Sequence, residues 1–229
     1  MQSQLPLGLT LKDSATFANF IAGMHSEVVL AVQRCAQGQG EAFIYLAGAA
    51  GTGKTHLLQA ACHAAAQGSD TVAYLPLQRA AEFDIGMLEG MERMAIVCID
   101  DVQFVAGKAD WEQALFVLFN RLRDNGGRLI VSAISKPSQL GLTLADLGSR
   151  LGWGVTYVLQ GLDDADKLLA LRLRAQARGF ELPDEVGRYL LLRLPRNMHA
   201  LFAVLDRLDY ASLVAQRRLT VPFIKSILG

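Results

Sequence analysis

The stretch that most constrains this chain is Gly48-Ala-Ala-Gly-Thr-Gly-Lys-Thr55, a glycine, four residues and then Gly-Lys-Thr. It follows the apolar run Phe43-Ile-Tyr-Leu46 and opens a helix-like run, Thr55-His-Leu-Leu-Gln-Ala-Ala-Cys-His-Ala-Ala-Ala66. Strand, glycine loop and helix, in that order, make a setting in which backbone can wrap an anion. Gly48, Gly51 and Gly53, with Thr52 between the last two, let successive N–H groups turn inward. The helix N-terminus adds the positive end of its dipole. Lys54 then reaches β- and γ-phosphates, and the Thr55 hydroxyl takes a place on Mg²⁺. An accidental glycine-rich turn would need neither flanking element. The stretch predicts a bound nucleoside di- or triphosphate.

The rest of the first two-thirds repeats the alternation of strand and helix. Thr71-Val-Ala-Tyr-Leu75 reads as a second strand, and a connecting segment with Phe83, Met87, Leu88 and Met91 reads as a short helix. Met94-Ala-Ile-Val-Cys-Ile99 is nearly continuous apolar, as a strand buried on both faces of a parallel sheet should be. It ends in Asp100-Asp101. Acids at the carboxyl end of such a strand stand where ligands bind in open α/β sheets. Asp100 suits the Mg²⁺ shell, and Asp101 suits the orienting of an attacking water. The plainer alternative is an acid pair that merely starts a turn. Asp110-Trp-Glu-Gln113 has the spacing of a capping box, with Asp110 as N-cap of a helix that Gly126-Gly127 stops. Leu129–Ala133 and Val155–Leu159 supply two more strands, making five in all. Strands alternating with helices predict a parallel sheet covered on both faces.

From Asp163 onward the pattern is helical only. Runs start at Asp163, at Pro183-Asp184, near Asn197 and at Thr220, with breaks at Gly179 and Pro195. The division expected is a tail over 1–12, an α/β nucleotide-binding domain over 13–161 and a small all-α lid over 162–229.

Composition narrows the function by what it withholds. Among 229 residues, Lys+Arg and Asp+Glu are 22 each, so no bulk charge draws the chain to nucleic acid or anionic lipid. No apolar run approaches the ~18 residues of a membrane span, and no secretory signal opens the sequence. Cys35, Cys62 and Cys98 lack metal-ligand spacing and read as buried small hydrophobes of a reducing cytoplasm. The opening Gln4-Leu-Pro-Leu-Gly-Leu9 alternates leucines. Gln4, Leu5, Leu7 and Leu9 would suit insertion into another protein's apolar groove, or would simply pack on their own domain.

Several segments carry a family resemblance beyond the glycine loop. Gly51-Thr-Gly-Lys-Thr-His-Leu-Leu58, Ile99-Asp-Asp-Val-Gln-Phe-Val-Ala-Gly-Lys108 and Ser149-Arg-Leu-Gly-Trp-Gly154 closely resemble the DnaA family of AAA+ ATPases. Phe17-Ala-Asn-Phe-Ile-Ala-Gly23, which includes Ile21, is similar to the segment that cradles adenine in that family. The resemblance runs from about residue 14 to the end. Neither the family's N-terminal interaction domain nor its helix-turn-helix finds a counterpart. With Gly179-Phe-Glu-Leu-Pro-Asp184, Ala215-Gln-Arg-Arg-Leu-Thr220 and the leucine tail, the chain resembles the regulatory inactivators of the initiator.

That resemblance implies ADP or ATP with Mg²⁺ at Gly48–Thr55, His56 packing close to the loop, and Arg150 as an arginine finger acting in trans. Such a guanidinium places positive charge against a neighbour's γ-phosphate as charge redistributes. It implies Arg196 as a lid arginine on the chain's own nucleotide. It also implies a sliding-clamp partner for Gln4–Leu9 and the DnaA initiator as target. A homodimer is a further candidate; neither a membrane nor sequence-specific DNA binding is expected. The implied location is cytoplasmic, at the replisome. One departure matters: the family has a polar or acidic sensor after Ser132, and here Ala133 follows, leaving Ser132 or Ser135 as substitutes. The chain's own hydrolysis is therefore expected to be weak or absent. Rival readings are an autonomous ATPase or helicase-loader-like remodeller, a non-catalytic adaptor, and a small-metabolite kinase.

Overall fold

The computed structural model describes residues 15–195 and 197–228. Gln4, Leu5, Leu7, Leu9 and Arg196 lie outside the described residues. The chain forms two compact units, an α/β unit that runs to Gln160 and a helical unit from Gly161.

The α/β unit holds five parallel strands: β1 (Phe43–Gly48), β2 (Val72–Pro76), β3 (Ile96–Asp100), β4 (Arg128–Ala133) and β5 (Val155–Leu159). Their order is β2-β3-β4-β1-β5. Tyr45 pairs with Val131, and Leu46 with Tyr157, so β1 is flanked on both sides. Alternation along each strand feeds two cores. Ile44, Leu46, Ile96, Cys98 and Ile130 pack with α1 (Ser26–Ala36) and α2 (Lys54–Gln67). Tyr45, Val97, Ile99, Leu129, Val131 and Ala133 pack with α3 (Ala109–Asp124) and α4 (Ala145–Leu151). Covering both faces explains why these strands read as continuous apolar runs. All three cysteines are free and buried, and burial pushes the Cys35 thiol up to about 12.

Two sequence expectations need correction. The segment around Phe83–Met91 is not one helix. It forms separate 3₁₀ turns, Leu77–Glu82, Ile85–Leu88 and Met91–Arg93. The Asp84 carboxylate accepts from Gly86 N (2.7 Å), closing a local turn, and Gly90 at φ +88° takes a conformation that no helix continues through. Asp110 is also not an N-cap. α3 begins at Ala109 behind Lys108, whose carbonyl accepts from Glu112 N at 2.9 Å, leaving Asp110 inside the first turn.

The helical unit contains α5 (Asp164–Ala177), α6 (Asp184–Arg193), α7 (Met198–Ala215) and α8 (Val221–Leu228). Its starts follow local chemistry: Asp163 accepts from Asp166 N and Asn197 from Ala200 N, each at 2.8 Å. Gly179, at φ +84°, follows the C-cap of α5. Leu171, Val186, Leu190, Leu201, Leu205, Leu208 and Ile224 are buried. Arg174 and Arg178 pair with Asp206, and Arg178 also with Asp209, at 3.1–3.3 Å. These pairs are partly exposed and contribute little beyond fixing how α5 meets α7. Among the described residues, no helix is long and apolar enough to cross a membrane.

Candidate functional site

The glycine loop leaves β1 at Gly48 and enters α2 at Lys54. Gly51 and Gly53 have φ of +82° and +93°, a region that side chains disfavour. At Gly53 space adds a second reason, since a Cβ there would stand 2.6 Å from the Phe20 ring. Lys54, buried at the start of α2, donates from Nζ to the carbonyls of Gly48 (2.6 Å) and Ala49 (3.0 Å). Burial lowers its pKa, while Asp101 and then Asp100 act to raise it. Among the described residues, the ammonium is thus folded over the loop with only backbone oxygen as its hydrogen-bond partners. Thr55 is exposed on the first turn of α2. Glycine-shaped backbone, a buried cation and an exposed hydroxyl fit a polyphosphate.

The strand order brings the acids to the same end. β1 and β3 flank β4, and Asp100 is the last residue of β3. It is buried, yet both carboxylate oxygens have donors: Tyr74 Oη reaches Oδ2 at 2.8 Å, and Ser132 Oγ donates to Oδ1. Gln59 Nε2 in turn donates to Tyr74 Oη (3.3 Å). Asp101 then turns left-handed, at φ +59°, with its N–H on Ser132 Oγ (2.9 Å) and its Oδ1 accepting from Gln103 Nε2 (3.0 Å). Burial raises the Asp101 pKa, and the Asp100 charge adds to that; Gln103 and Lys54 pull against it. Thr55 and Asp100 are the residues that would hold Mg²⁺. No cluster of three or more acids, His or Cys suited to a metal occurs among the described residues. One carboxylate, one hydroxyl, waters and phosphate oxygens suffice for Mg²⁺.

The segment before α1 packs against the end of the loop at Gly53. Phe20 lies 5.3 Å from the His56 ring, and His56 Nε2 is 2.8 Å from the Thr16 carbonyl. Burial lowers the His56 pKa despite that bond, so His56 stands as a neutral packing group. Ile21 is half-buried in the same segment. His25, unremarked in the sequence, is buried with Nε2 3.0 Å from Gln160 N, tying this segment to the end of β5.

Arg150 is elsewhere. It sits near the end of α4 with its guanidinium 5.2 Å from the Trp153 ring centroid and 6.0 Å from that of Phe116. Arg123 stacks on the same indole at 5.0 Å, and Trp153 continues through Phe119 (6.0 Å) to Phe43 (4.8 Å). Gly154 is required here, because a Cβ would stand 1.9 Å from the Phe43 carbonyl oxygen. Phe43 is the first residue of β1 and Gly48 the last. At ~3.3 Å per strand residue, Arg150 and the phosphate loop stand at opposite ends of the strand. Lys54, Thr55, Asp100 and Asp101 are together; Arg150 is not among them.

Ser132, taken up by Asp100 and Asp101, is the β4 hydroxyl at this site. Ala133 points into the other core, and Ser135 contributes a carbonyl that accepts from Tyr45 Oη at 2.9 Å.

Residues 11–158 match the family described as the bacterial DnaA ATPase domain, and residues 164–228 match the family described as the Hda lid domain. Domain III of the Thermotoga maritima replication initiation protein DnaA superposes with a TM-score of 0.85 at 25% identity, covering 94% of this chain and 95% of that one. AMPPCP-bound DnaA from Aquifex aeolicus gives 0.72 at 26% identity, covering 87% of this chain and 66% of that one. A Thermotoga maritima RuvB variant gives 0.66 at 15% identity, covering 87% of this chain and 65% of that one, a likeness of fold alone.

Proposed function

The chain belongs to the bacterial DnaA ATPase-domain family of AAA+ proteins, and we propose that it is a nucleotide-bound regulator that turns off the replication initiator. ADP or ATP would lie along Gly48–Thr55, with Mg²⁺ on Thr55 and Asp100. The ion supplies charge neutralisation at phosphate oxygens. Lys54 moves from its carbonyl contacts toward phosphate, and Asp101 faces the side from which water would attack. The AMPPCP-bound Aquifex DnaA supports an adenine nucleotide, and the Hda lid match supports the regulatory branch. The action is proposed for the cytoplasm, at the replisome.

The observation that carries the regulatory reading is the placement of Arg150. Its guanidinium stacks on Trp153, no carboxylate among the described residues pairs with it, and it stands at the strand end away from its own phosphate loop. A cation so placed serves a partner's nucleotide. A finger supplied in trans is worth about 10³–10⁵ in rate, so one residue is enough for a switch. Gln4–Leu9 would dock on the DNA-loaded sliding clamp and raise the local concentration of the pair.

The test is loss of ATP from a preloaded DnaA, with and without clamp loaded on DNA. Clamp-dependent hydrolysis that disappears in Arg150→Ala is the expected result. Arg150→Lys should fail as well, because a planar guanidinium and an ammonium are not equivalent at a stacked site. No acceleration under any condition overturns the reading. Loss on removing the tail together with full activity in Arg150→Ala points instead to an adaptor, and strong turnover by the chain alone points to an autonomous ATPase.

A further inference from the structure

Gln103 joins two loops that no other side chain joins in this way among the described residues. Its Nε2 donates to Asp101 Oδ1 (3.0 Å), and its Oε1 accepts from Ile134 N (3.2 Å). The orientation of the amide is forced. A flipped amide would set oxygen against carboxylate and NH₂ against N–H. Asp101 is thereby fixed at two points, to β4 through its own N–H on Ser132 Oγ and to the loop just after β4 through Gln103 and Ile134. Ala133, the last residue of β4, lies between those two contacts and has its methyl buried in the apolar core, so it offers nothing to this end of the sheet. Ile134 itself is 55% exposed. Lys54, the group placed to meet a terminal phosphate, feels Asp101 more than Asp100.

We propose that Gln103 is a positioning residue that reads the terminal phosphate through Asp101 and passes its presence to the exposed Ile134. It supplies at this end of β4 the polar contact that Ala133 lacks. A third phosphate draws Lys54 off the loop carbonyls and changes what Asp101 faces. The Asp101–Gln103–Ile134 chain then shifts as one unit, since each link is a hydrogen bond with a single arrangement. Discrimination between di- and triphosphate follows from this chain. The inference rests on the nucleotide reading of Gly48–Thr55.

The full chain, Gln103→Leu and Gln103→Glu are titrated with ADP and with AMPPCP by calorimetry, and the ¹⁵N-labelled Ile134 amide is followed in both complexes. Gln103→Leu removes both hydrogen bonds at similar volume. Gln103→Glu keeps an acceptor for Ile134 but sets a second carboxylate against Asp101, and it serves if the leucine variant does not fold. The expected result is an AMPPCP affinity about tenfold weaker in either variant, the low end for a hydrogen bond to a charged group. ADP affinity should change less than twofold. The Ile134 amide should differ between the two complexes in the parent chain and coincide in the variants. Equal loss for both nucleotides, no loss for either, or an Ile134 amide that still distinguishes them in the variants overturns the relay alone. A parent chain that binds neither nucleotide overturns the nucleotide reading and the relay with it.

Discussion

Glu112 offers a stringent test of how α4, and with it Arg150, is held in place. It is fully buried in the first turn of α3 and accepts from Gly107 N (2.6 Å), Thr143 N (3.2 Å), Thr143 Oγ1 (2.7 Å) and Leu144 N (2.7 Å). Two loops, one after β3 and one just ahead of α4, converge on this charge. Burial alone would push its pKa up; the bonds from Thr143, Leu144 and Gly107 outweigh that and hold it below the usual carboxylate range. Glu112→Ala strands three backbone donors and a hydroxyl. At about 1–3 kcal/mol for each buried donor, part of it recovered by entering water, the cost is about 3–5 kcal/mol. Glu112→Gln keeps the volume but turns NH₂ toward a donor, for about 2 kcal/mol.

The assay is unfolding followed by tryptophan fluorescence. Trp111 and Trp153 are the chain's two tryptophans and both lie in the α/β unit, so the signal reports on that unit. Glu112→Ala should melt roughly 10 °C below the parent, at 2–4 °C per kcal/mol for a domain of this size. The pH dependence has a fixed sign. A folded pKa below the unfolded one gives stability that is complete above the unfolded value, near 4.5, and is lost as pH falls through the folded value. The gap between parent and Glu112→Gln should therefore be constant from neutrality to about pH 5 and close below it. A gap absent at pH 7, or one that persists undiminished in acid, refutes the assignment of that stability to the ionised carboxylate.

Other consequences are simpler to measure. Gly154→Ala sets a Cβ against the Phe43 carbonyl and should cost several kcal/mol in urea unfolding, on the order of an overpacked core. Gly53→Ala combines a φ of +93° with the Phe20 contact, and equilibrium binding should show ADP affinity reduced at least tenfold. Nucleotide affinity should weaken as pH rises toward a Lys54 pKa that burial has lowered, and Lys54→Met should bind weakly with that pH dependence gone. Tyr74→Phe removes one donor from buried Asp100 and should cost about 1–2 kcal/mol in thermal unfolding.

What the sequence shows plainly is what local chemistry decides. Gly51 and Gly53 stand out because only glycine takes their φ freely, and Asp163 and Asn197 because a cap acts within three residues. The strands stand out because burial on both faces leaves no polar alternation. What stays hidden acts across long separations. Glu112 meets its partners 31 and 32 residues on, Tyr74 meets Asp100 26 residues on, and His25 meets Gln160 135 residues on. No period or motif links such pairs. Asp110 misled for the same reason, since the start of α3 is fixed by the loop drawn onto Glu112 and not by the nearest acid.

The two ends of the sheet carry the functional argument further than either motif alone. The carboxyl ends of β1 and β3 gather Lys54, Thr55, Asp100 and Asp101, whereas Arg150 and Trp153 stand by Phe43, where β1 begins. A cation at one end of the strand and a phosphate loop at the other do not meet within one chain, so in the proposed role Arg150 would serve a neighbour's nucleotide and not its own. A family member divided in this way would drive a partner's hydrolysis and keep its own nucleotide. The buried chain from Gln59 through Tyr74, Asp100 and Ser132 to Asp101 suits that division, because it fixes the acids before any partner arrives.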